Sequence, residues 1–322
     1  MRGRHPYTSP VTHQDLQTAL RELLGEQPLR PIASKTEADR VAMVAKTGNQ
    51  PLLDLAAYSN SSSTPFIDYL NADILHTLQQ PRSEHPDEMT FISMAHVMEV
   101  TFKLLCYDAL RVQHALRSDA LDETRTILSR MHRTLEVLAQ TWSVLATISP
   151  QGYLSFRDHL GVGSGFESFM YRRLEFLLGN KQPRLLELHK HVPSVHQALE
   201  QVLQAPSLYD DAIAFLHRRG YEIAAGALQR DWSQPYQSDP SVRAAWKRIY
   251  SEHAAHEPIY ALAEALVDLA ERFKLWRFRH FVTVERLIGF KPGSGGTSGI
   301  GWLRGIVDQN FFPELWEVRS EL

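Results

Sequence analysis

Apolar residues recur at three- and four-residue spacing along most of the chain, which is the period of amphipathic α-helices. Alternation of apolar and polar residues, which would indicate half-buried strands, is convincing nowhere. We therefore predict an all-α protein. The pattern predicts helices near residues 87–105, 121–148, 165–178, 194–203, 208–218, 239 onward and 258–290, with a short further segment at 302–307.

The first 64 residues follow a different pattern. One short amphipathic helix, from Thr12 or His13 to Leu24, precedes sequence that is broken by Gly and Pro. The basic start, Met1–Pro6, is not followed by the apolar run of a signal peptide, and Ser59–Pro65 has the composition of a linker. We predict an N-terminal extension over residues 1–64 and one all-helical domain over residues 65–322.

Charge and cysteine content exclude several classes of protein. The 34 Lys and Arg residues against 37 Asp and Glu give a net charge of −3, so no global positive field attracts nucleic acid or an anionic membrane. The sequence contains no uninterrupted run of about 18 apolar residues, so it does not predict a membrane span. The single cysteine, Cys106, forms no intrachain disulfide and reads as a buried apolar residue. We expect a cytoplasmic protein without nucleic-acid or membrane partners.

His280 is the most informative of the 15 histidines. It lies one turn after Trp276 and one turn before Val284, so its imidazole belongs to the inward stripe of a helix. A lone histidine in such a place is ordinarily a hydrogen-bonded core residue. The functional alternative is a proximal haem ligand, because one neutral imidazole holds haem iron and leaves the sixth position open.

A glycine-rich segment, Gly293–Gly299, follows the same helix. It lacks the Gly-Lys-Ser/Thr ending of a P-loop and has no preceding strand, so a nucleotide site is excluded by context. Two interpretations stay open. The segment is either a flexible loop or a loop whose backbone closely approaches a small ligand.

Two adjacent arginines, Arg172 and Arg173, interrupt an apolar helix and need anionic partners. An internal ion pair with Glu175 is the ordinary interpretation of Arg172, and a bound substrate carboxylate is the functional one. The pair His253/His256 lacks the glutamate of a zinc-protease helix, and the pair His189/His191 lies at a helix boundary. We interpret both pairs as surface residues.

Several segments together resemble the tryptophan 2,3-dioxygenase family. The longest, Trp276–Gly299, spans the helix of His280 and the glycine-rich segment. The similarity covers about residues 66 to 322, and the first 60 or so residues have no recognisable counterpart. The other segments that carry it are Tyr69-Leu70, Asp87–Met89 with Phe91, Phe156–Gly161, Ser164–Ser168, Tyr171-Arg172 and Glu175–Asn180.

The resemblance implies an all-helical oxygenase that contains haem b and assembles as a homotetramer. It makes His280 the proximal iron ligand, with Gly295 and Gly296 also at the cofactor, and Phe91 an aromatic wall of the indole pocket. Arg172 would hold the substrate carboxylate. The hydroxyl of Ser294 would contact the substrate ammonium group. Tyr69 would enter the pocket of a neighbouring subunit.

One position departs from the family pattern. Counted from Asp87, the distal histidine that faces the indole N–H in the family falls on Ala95. The next residue, His96, is not an obvious replacement, because one step along a helix turns a side chain by about 100°. An unpaired buried N–H costs about 1 to 3 kcal/mol, so a substituted tryptophan is one expected substrate.

We predict a haem-dependent oxygenase that uses O2 on the indole ring of L-tryptophan or a close derivative such as β-methyl-tryptophan. Insertion of both oxygen atoms gives N-formylkynurenine. Insertion of one gives a 2-oxindole or hydroxylated product and requires an external reductant. Two alternatives stay open at this stage, a haem-dependent tyrosine hydroxylase and a non-catalytic protein that binds haem or an amino acid.

Overall fold

The computed structural model describes residues 13–25, 28–32, 34–55 and 62–322, apart from the side chain of His13. Met1–Pro6 and the first three residues of the predicted linker, Ser59–Ser61, lie outside these residues. In the described ranges the chain forms helices and turns without strands, which confirms the all-α prediction. The helices are α1 His13–Leu24, α2 Glu37–Thr47, α3 Pro65–Leu70, α4 Ala72–Leu75, α5 Asp87–Arg117, α6 Leu121–Leu145, α7 Pro150–Arg157, α8 Phe169–Leu178, α9 Pro193–Gln204, α10 Leu208–Arg218, α11 Ala225–Leu228, α12 Pro240–Glu252, α13 Pro258–Ile288, α14 Ile300–Val307 and α15 Pro313–Glu317.

The chain divides into two compact units. The large unit contains α1 together with Arg82–Leu322, and the small unit is Gly25–Pro81. The sequence predicts one boundary at residue 64, whereas this division groups α1 with the large unit and α3 and α4 with the small one.

The core of the large unit is built on three long helices, because α6 packs against both α5 and α13. Their apolar stripes bury large side chains between them, as the three- and four-residue spacing predicts. Helices α7 and α8 complete the part of the unit that concerns function, α7 by packing on α5 and α13 and α8 by packing on α5. The fully buried residues of this core include Leu105, Val112, Met131, Leu135, Leu262, Leu266 and Phe273.

By length and composition, α5 is the one helix within the described ranges that could cross a membrane. Its C-terminal half packs in the core of the large unit, where Leu105, Val112 and Leu116 are fully buried. Asp108 is fully buried on α5 and pairs through both carboxylate oxygens with Arg130 of α6, whose Nε lies 2.8 Å from Oδ2. Cys106 is also fully buried, as predicted, and burial raises the pKa of its thiol to about 12.

Several helices were not predicted, among them α2 and α7, for both of which the sequence contains signals. Thr36 caps α2 in a capping box with Asp39, and Gly48 ends the helix with a φ of 60°. Helix α6 ends at Leu145, three residues before the predicted end at residue 148, and residues Pro150–Gly152 do not continue it. They instead begin α7, because Ser149 accepts a hydrogen bond from the N–H of Gly152 (2.9 Å) and proline suits a first helical position.

The segment predicted as one helix over residues 165–178 is divided. Residues Gly165–Glu167 form a 3₁₀ turn, and Ser168 then caps α8 by accepting a hydrogen bond from the N–H of Tyr171. Because of this break, α8 starts only three residues before Arg172.

Candidate functional site

His280 lies on α13 with its imidazole half-buried among tryptophans. The indole of Trp142 stacks on it with ring centroids 4.4 Å apart and an interplanar angle of 11°, and Trp276 lies 5.9 Å away. Burial lowers the pKa of the imidazole to about 4, so the ring is neutral at neutral pH. Within the described part of the chain no group hydrogen-bonds either ring nitrogen of His280. The ordinary interpretation, a hydrogen-bonded core histidine, thus finds no partner for the ring among the described residues.

An aromatic cluster stands between α5 and α7. The ring of Phe91 lies 5.5 Å from that of Phe156 and 6.1 Å from that of Tyr153, and the two α7 rings are 5.4 Å apart. Phe156 is fully buried, whereas Phe91 and Tyr153 are half-buried. The cluster therefore presents flat apolar surface that the protein's own core does not fully cover.

Arg157, the last residue of α7, connects this cluster to the glycine-rich loop. Its Nη2 donates a hydrogen bond to the carbonyl of Pro292 (2.5 Å), and its side chain is half-buried. No carboxylate of the described residues lies within 4 Å of its guanidinium. Sequence analysis did not single out Arg157, although it belongs to the Phe156–Gly161 segment that carries the family resemblance.

The glycine-rich loop packs directly on the loop that precedes α8. The hydroxyl of Ser294 donates to the carbonyl of Gly163 (2.7 Å), and a Cβ on Gly295 would lie 2.9 Å from the Cβ of Ser164. Gly299 has a φ of 62°, and a Cβ there would lie 2.7 Å from the carbonyl oxygen of Lys291. These close approaches require glycine and favour a defined loop over a flexible one.

Arg172 lies on α8, and its side chain is almost fully buried. Its Nη1 pairs with the carboxylate of Glu175, and its guanidinium lies over the rings of Phe166 (5.3 Å) and Tyr171 (5.7 Å). The ion pair with Glu175, the ordinary interpretation of this arginine, is what forms. Its buried Nε has no hydrogen-bond partner among the described residues.

The carboxylate of Glu175 has partners on two helices, α8 and α13, and in the chain just after α8. Besides Arg172, it accepts hydrogen bonds from Tyr171 Oη (2.9 Å), Arg277 Nη2 (2.6 Å) and Asn180 Nδ2 (3.1 Å). Arg277 of α13 also donates to the carbonyl of Gln309, after α14 (3.1 Å). Burial alone would raise the pKa of Glu175, but the two guanidiniums outweigh it and keep that pKa lowered. We name these five side chains, Arg172, Glu175, Tyr171, Arg277 and Asn180, the Glu175 cluster.

The face of α5 that carries Phe91 continues through Ala95 to Glu99. Ala95 is half-buried, and Glu99 accepts a hydrogen bond from the hydroxyl of Ser168. Burial raises the pKa of Glu99, and the Ser168 hydrogen bond and the nearby His96 partly oppose that change. No described side chain contributes an imidazole at the position of Ala95 itself.

Tyr69 belongs to the small unit, where it lies on α3 with 75% of its surface exposed. An exposed tyrosine of this size is available for a contact outside its own unit.

The other histidine pairs do not form a metal site. No group of three or more metal-ligating side chains occurs in the described ranges. His253 is hydrogen-bonded to Glu257 Oε2 (2.8 Å) and Tyr221 Oη (2.9 Å), and His256 is exposed. His189 was interpreted as a surface residue, and that is wrong: it is 6% exposed, and burial lowers its pKa.

Comparison with known proteins gives matches to one family. The family model for tryptophan 2,3-dioxygenase matches residues 54–322. The tryptophan 2,3-dioxygenase of Burkholderia pseudomallei strain 668 is 48% identical over 262 residues, which are 81% of this chain and 86% of that protein. The tryptophan 2,3-dioxygenase of Burkholderia mallei strain SAVP1 is 47% identical over the same shares.

The all-helical fold and these matches define the class of protein, an oxygenase enzyme. More specifically, the chain belongs to the tryptophan 2,3-dioxygenase family, as the segments quoted above predict.

Proposed function

We propose that this protein binds haem b and uses O2 to oxygenate the indole ring of L-tryptophan. The observation that carries the proposal is the neutral imidazole of His280, which lies among aromatic rings without a hydrogen-bond partner in the described chain. A neutral imidazole with a free nitrogen is the donor that haem iron requires. Membership of the family gives the reaction class.

The residues present fit a haem group. His280 would bind the iron, and the glycines at positions 295 and 296 allow the loop backbone to approach the macrocycle, since neither carries a side chain. When bound, haem supplies the iron centre at which O2 is activated for insertion into the indole C2=C3 bond. The protein's contribution is to bind, orient and shield the substrate.

The aromatic cluster suits the indole. Phe91 and Tyr153 offer half-buried ring surface, against which a flat bicyclic ring packs in offset or edge-to-face contacts. These contacts would hold the indole in one orientation. The entropy cost of aligning the reactants is then met on binding, which lowers the activation free energy of oxygenation although no protein group reacts.

For the substrate carboxylate we propose Arg157 in place of Arg172. The guanidinium of Arg157 lies beside the aromatic cluster and the glycine-rich loop, and it has donors that no carboxylate of the described chain uses. Arg172 is buried and already paired with Glu175. If the guanidinium of Arg172 bound a substrate carboxylate instead, the buried carboxylate of Glu175 would lose one of its two cationic partners. Breaking a buried ion pair in this way costs substantial free energy.

Ser294 is the proposed partner of the substrate ammonium group. Its hydroxyl donates to the carbonyl of Gly163, which leaves the lone pairs of Oγ free to accept from an ammonium N–H. The carbonyl of Gly163 is a second acceptor in the same place. Arg157 and Ser294 would then hold the two charged ends of the amino acid, with the indole on the aromatic cluster.

We further propose a homotetramer in which Tyr69 enters the pocket of a neighbouring subunit. The 75% exposure of this tyrosine supports the proposal. So does an apolar stripe on α5, Val97, Val100 and Leu104, whose side chains are 40%, 64% and 43% exposed and whose burial between subunits would be favourable.

The residue at position 95 bears on which of two products forms. With a methyl group in place of an imidazole, the indole N–H has no side-chain acceptor from this position, so a water or a substituted substrate such as β-methyl-tryptophan would fill the space. Family membership favours N-formylkynurenine, in which both oxygen atoms of O2 are retained. Ala95 favours a second outcome, a 2-oxindole, in which one atom leaves as water and an external reductant supplies two electrons and two protons.

Mass spectrometry of the product under ¹⁸O-labelled O2 tests the function. The haem-loaded enzyme is supplied with L-tryptophan or β-methyl-tryptophan, with and without ascorbate. Two labelled atoms in a ring-opened product without ascorbate would establish the dioxygenase reaction. One labelled atom in a ring-closed product formed only with ascorbate would establish the monooxygenase reaction. No oxygenated indole product under either condition would contradict the proposed function.

Ala95→His is expected to increase kcat/KM for L-tryptophan about threefold to tenfold, since it supplies an acceptor for the buried indole N–H. The preference for β-methyl-tryptophan should fall in the same variant, because the imidazole occupies the space beside the ring. The competition between the two substrates measures both effects. His96→Ala is the matched control, and a loss of activity there that exceeds the change at position 95 would assign the polar role to His96.

A further inference from the structure

The small unit contains a pair of acidic residues on its two shortest helices. Asp68 lies on α3 and Asp73 on α4, with Asn71 between the helices at a φ of 50°. The carboxylate of Asp68 is 3% exposed, and its buried Oδ2 has no hydrogen-bond partner among the described residues. A buried carboxylate of this kind requires a nearby cation.

Arg30 supplies that cation from the N-terminal extension. Its Nη1 and Nη2 donate to the two carboxylate oxygens of Asp73, at 2.9 and 3.0 Å, and Nη1 lies 3.7 Å from Oδ1 of Asp68. In the described chain no other cationic group comes within 4 Å of Asp68. Arg30 precedes the segment matched by the family model, which begins at residue 54.

This arrangement ties three pieces of chain together. The planar guanidinium contacts Asp73 through two parallel hydrogen bonds, a geometry that fixes direction as well as distance. The same group offsets the repulsion between two carboxylates that flank a tight helix junction. Tyr69 is the residue next to Asp68, so whatever orients α3 also orients the tyrosine.

We propose that Arg30 is a positioning residue for Tyr69: by bridging Asp73 and Asp68 it fixes α3, and the N-terminal extension thereby becomes part of the substrate pocket. The inference rests on the proposed entry of Tyr69 into a neighbouring subunit's pocket. The N-terminal extension would then contribute to substrate binding through Arg30, a residue that lies before the segment matched by the family model.

Arg30→Gln in the full-length, haem-loaded enzyme tests the inference by hydrogen exchange and steady-state kinetics. The backbone amides of residues 65–75 should exchange about fivefold faster, since an ion pair that restrains a short helix is lost. KM for L-tryptophan should rise about fivefold while kcat stays within about twofold, because ground-state binding is what weakens. Arg30→Lys should restore only part of KM, because an ammonium cannot form the two parallel hydrogen bonds.

Arg40→Gln is the matched control, since Arg40 pairs with Glu37 on the exposed surface of the same unit. It should change neither exchange at 65–75 nor KM. Unchanged exchange in Arg30→Gln would overturn the inference, and so would faster exchange with an unchanged KM.

A second variant separates this inference from the function on which it rests. Tyr69→Ala should raise KM, and Arg30→Gln added to it should raise KM no further, because the two residues act through one contact. If Tyr69→Ala leaves KM unchanged, the proposed pocket role of Tyr69 fails, whatever exchange shows. If Tyr69→Ala raises KM and the two effects add, Arg30 does not act through Tyr69 and the inference is overturned.

Discussion

His280→Ala is expected to abolish haem binding and to reduce oxygenase activity by more than about a thousandfold, the largest effect of any single substitution. The variant removes the one neutral, unpartnered imidazole that lies between Trp142 and Trp276. The measurement is the Soret absorbance after reconstitution with haem, together with turnover of L-tryptophan. Because the half-buried ring makes no hydrogen bond within the described chain, its removal should leave the far-ultraviolet circular dichroism unchanged.

His256→Ala is the control for this experiment, since His256 is exposed and lies outside the site. It should reconstitute and turn over like the wild type. A His280→Ala variant that keeps a Soret band of normal position and intensity would contradict the assignment of the iron ligand.

Arg157→Ala is expected to reduce kcat/KM for L-tryptophan by about a hundredfold to a thousandfold. Two charge-assisted hydrogen bonds to a substrate carboxylate contribute about 3 to 4 kcal/mol. The loss should be smaller for tryptamine, which lacks the carboxylate. Equal losses for the two compounds would contradict the proposed clamp.

Arg172→Lys gives the comparison that distinguishes the two arginines. A lysine keeps the positive charge beside Glu175 but not the guanidinium geometry, so the variant should have a lower melting temperature and a KM within about threefold of wild type. If KM instead rises as strongly as in Arg157→Ala, Arg172 contacts the substrate and the assignment implied by the sequence is correct.

The helices were predictable where apolar periodicity is long and the ends are marked. The limits of α10, Leu208–Arg218, were predicted to the residue, and α13 begins at the predicted Pro258. The misses at α2 and α7 have one cause. Both helices are short and begin with a capping residue, Thr36 or Ser149, so local hydrogen bonds define them more than a stripe of apolar residues does.

The site was predictable only in part, because sequence spacing identifies residue types and not their partners. His280 and Phe91 lie among aromatic rings, as their positions on helical stripes indicated. The choice between Arg157 and Arg172 could not be made in this way, since both follow an aromatic residue in segments that resemble the family. It depends on Glu175, which reaches Arg172 one helical turn away and also reaches Arg277, about a hundred residues along the chain.

The Glu175 cluster has a consequence for unfolding. One buried carboxylate joins α8, the helix of the proposed iron ligand and the chain that follows α14, so none of these segments can detach without exposing unpaired charge in the core. Opening of α8, of the helix of the proposed iron ligand and of the chain after α14 should therefore be a single cooperative event. A calorimetric scan of the apoprotein should show one transition for these three segments, and partially folded forms in which only one of them has detached should not accumulate.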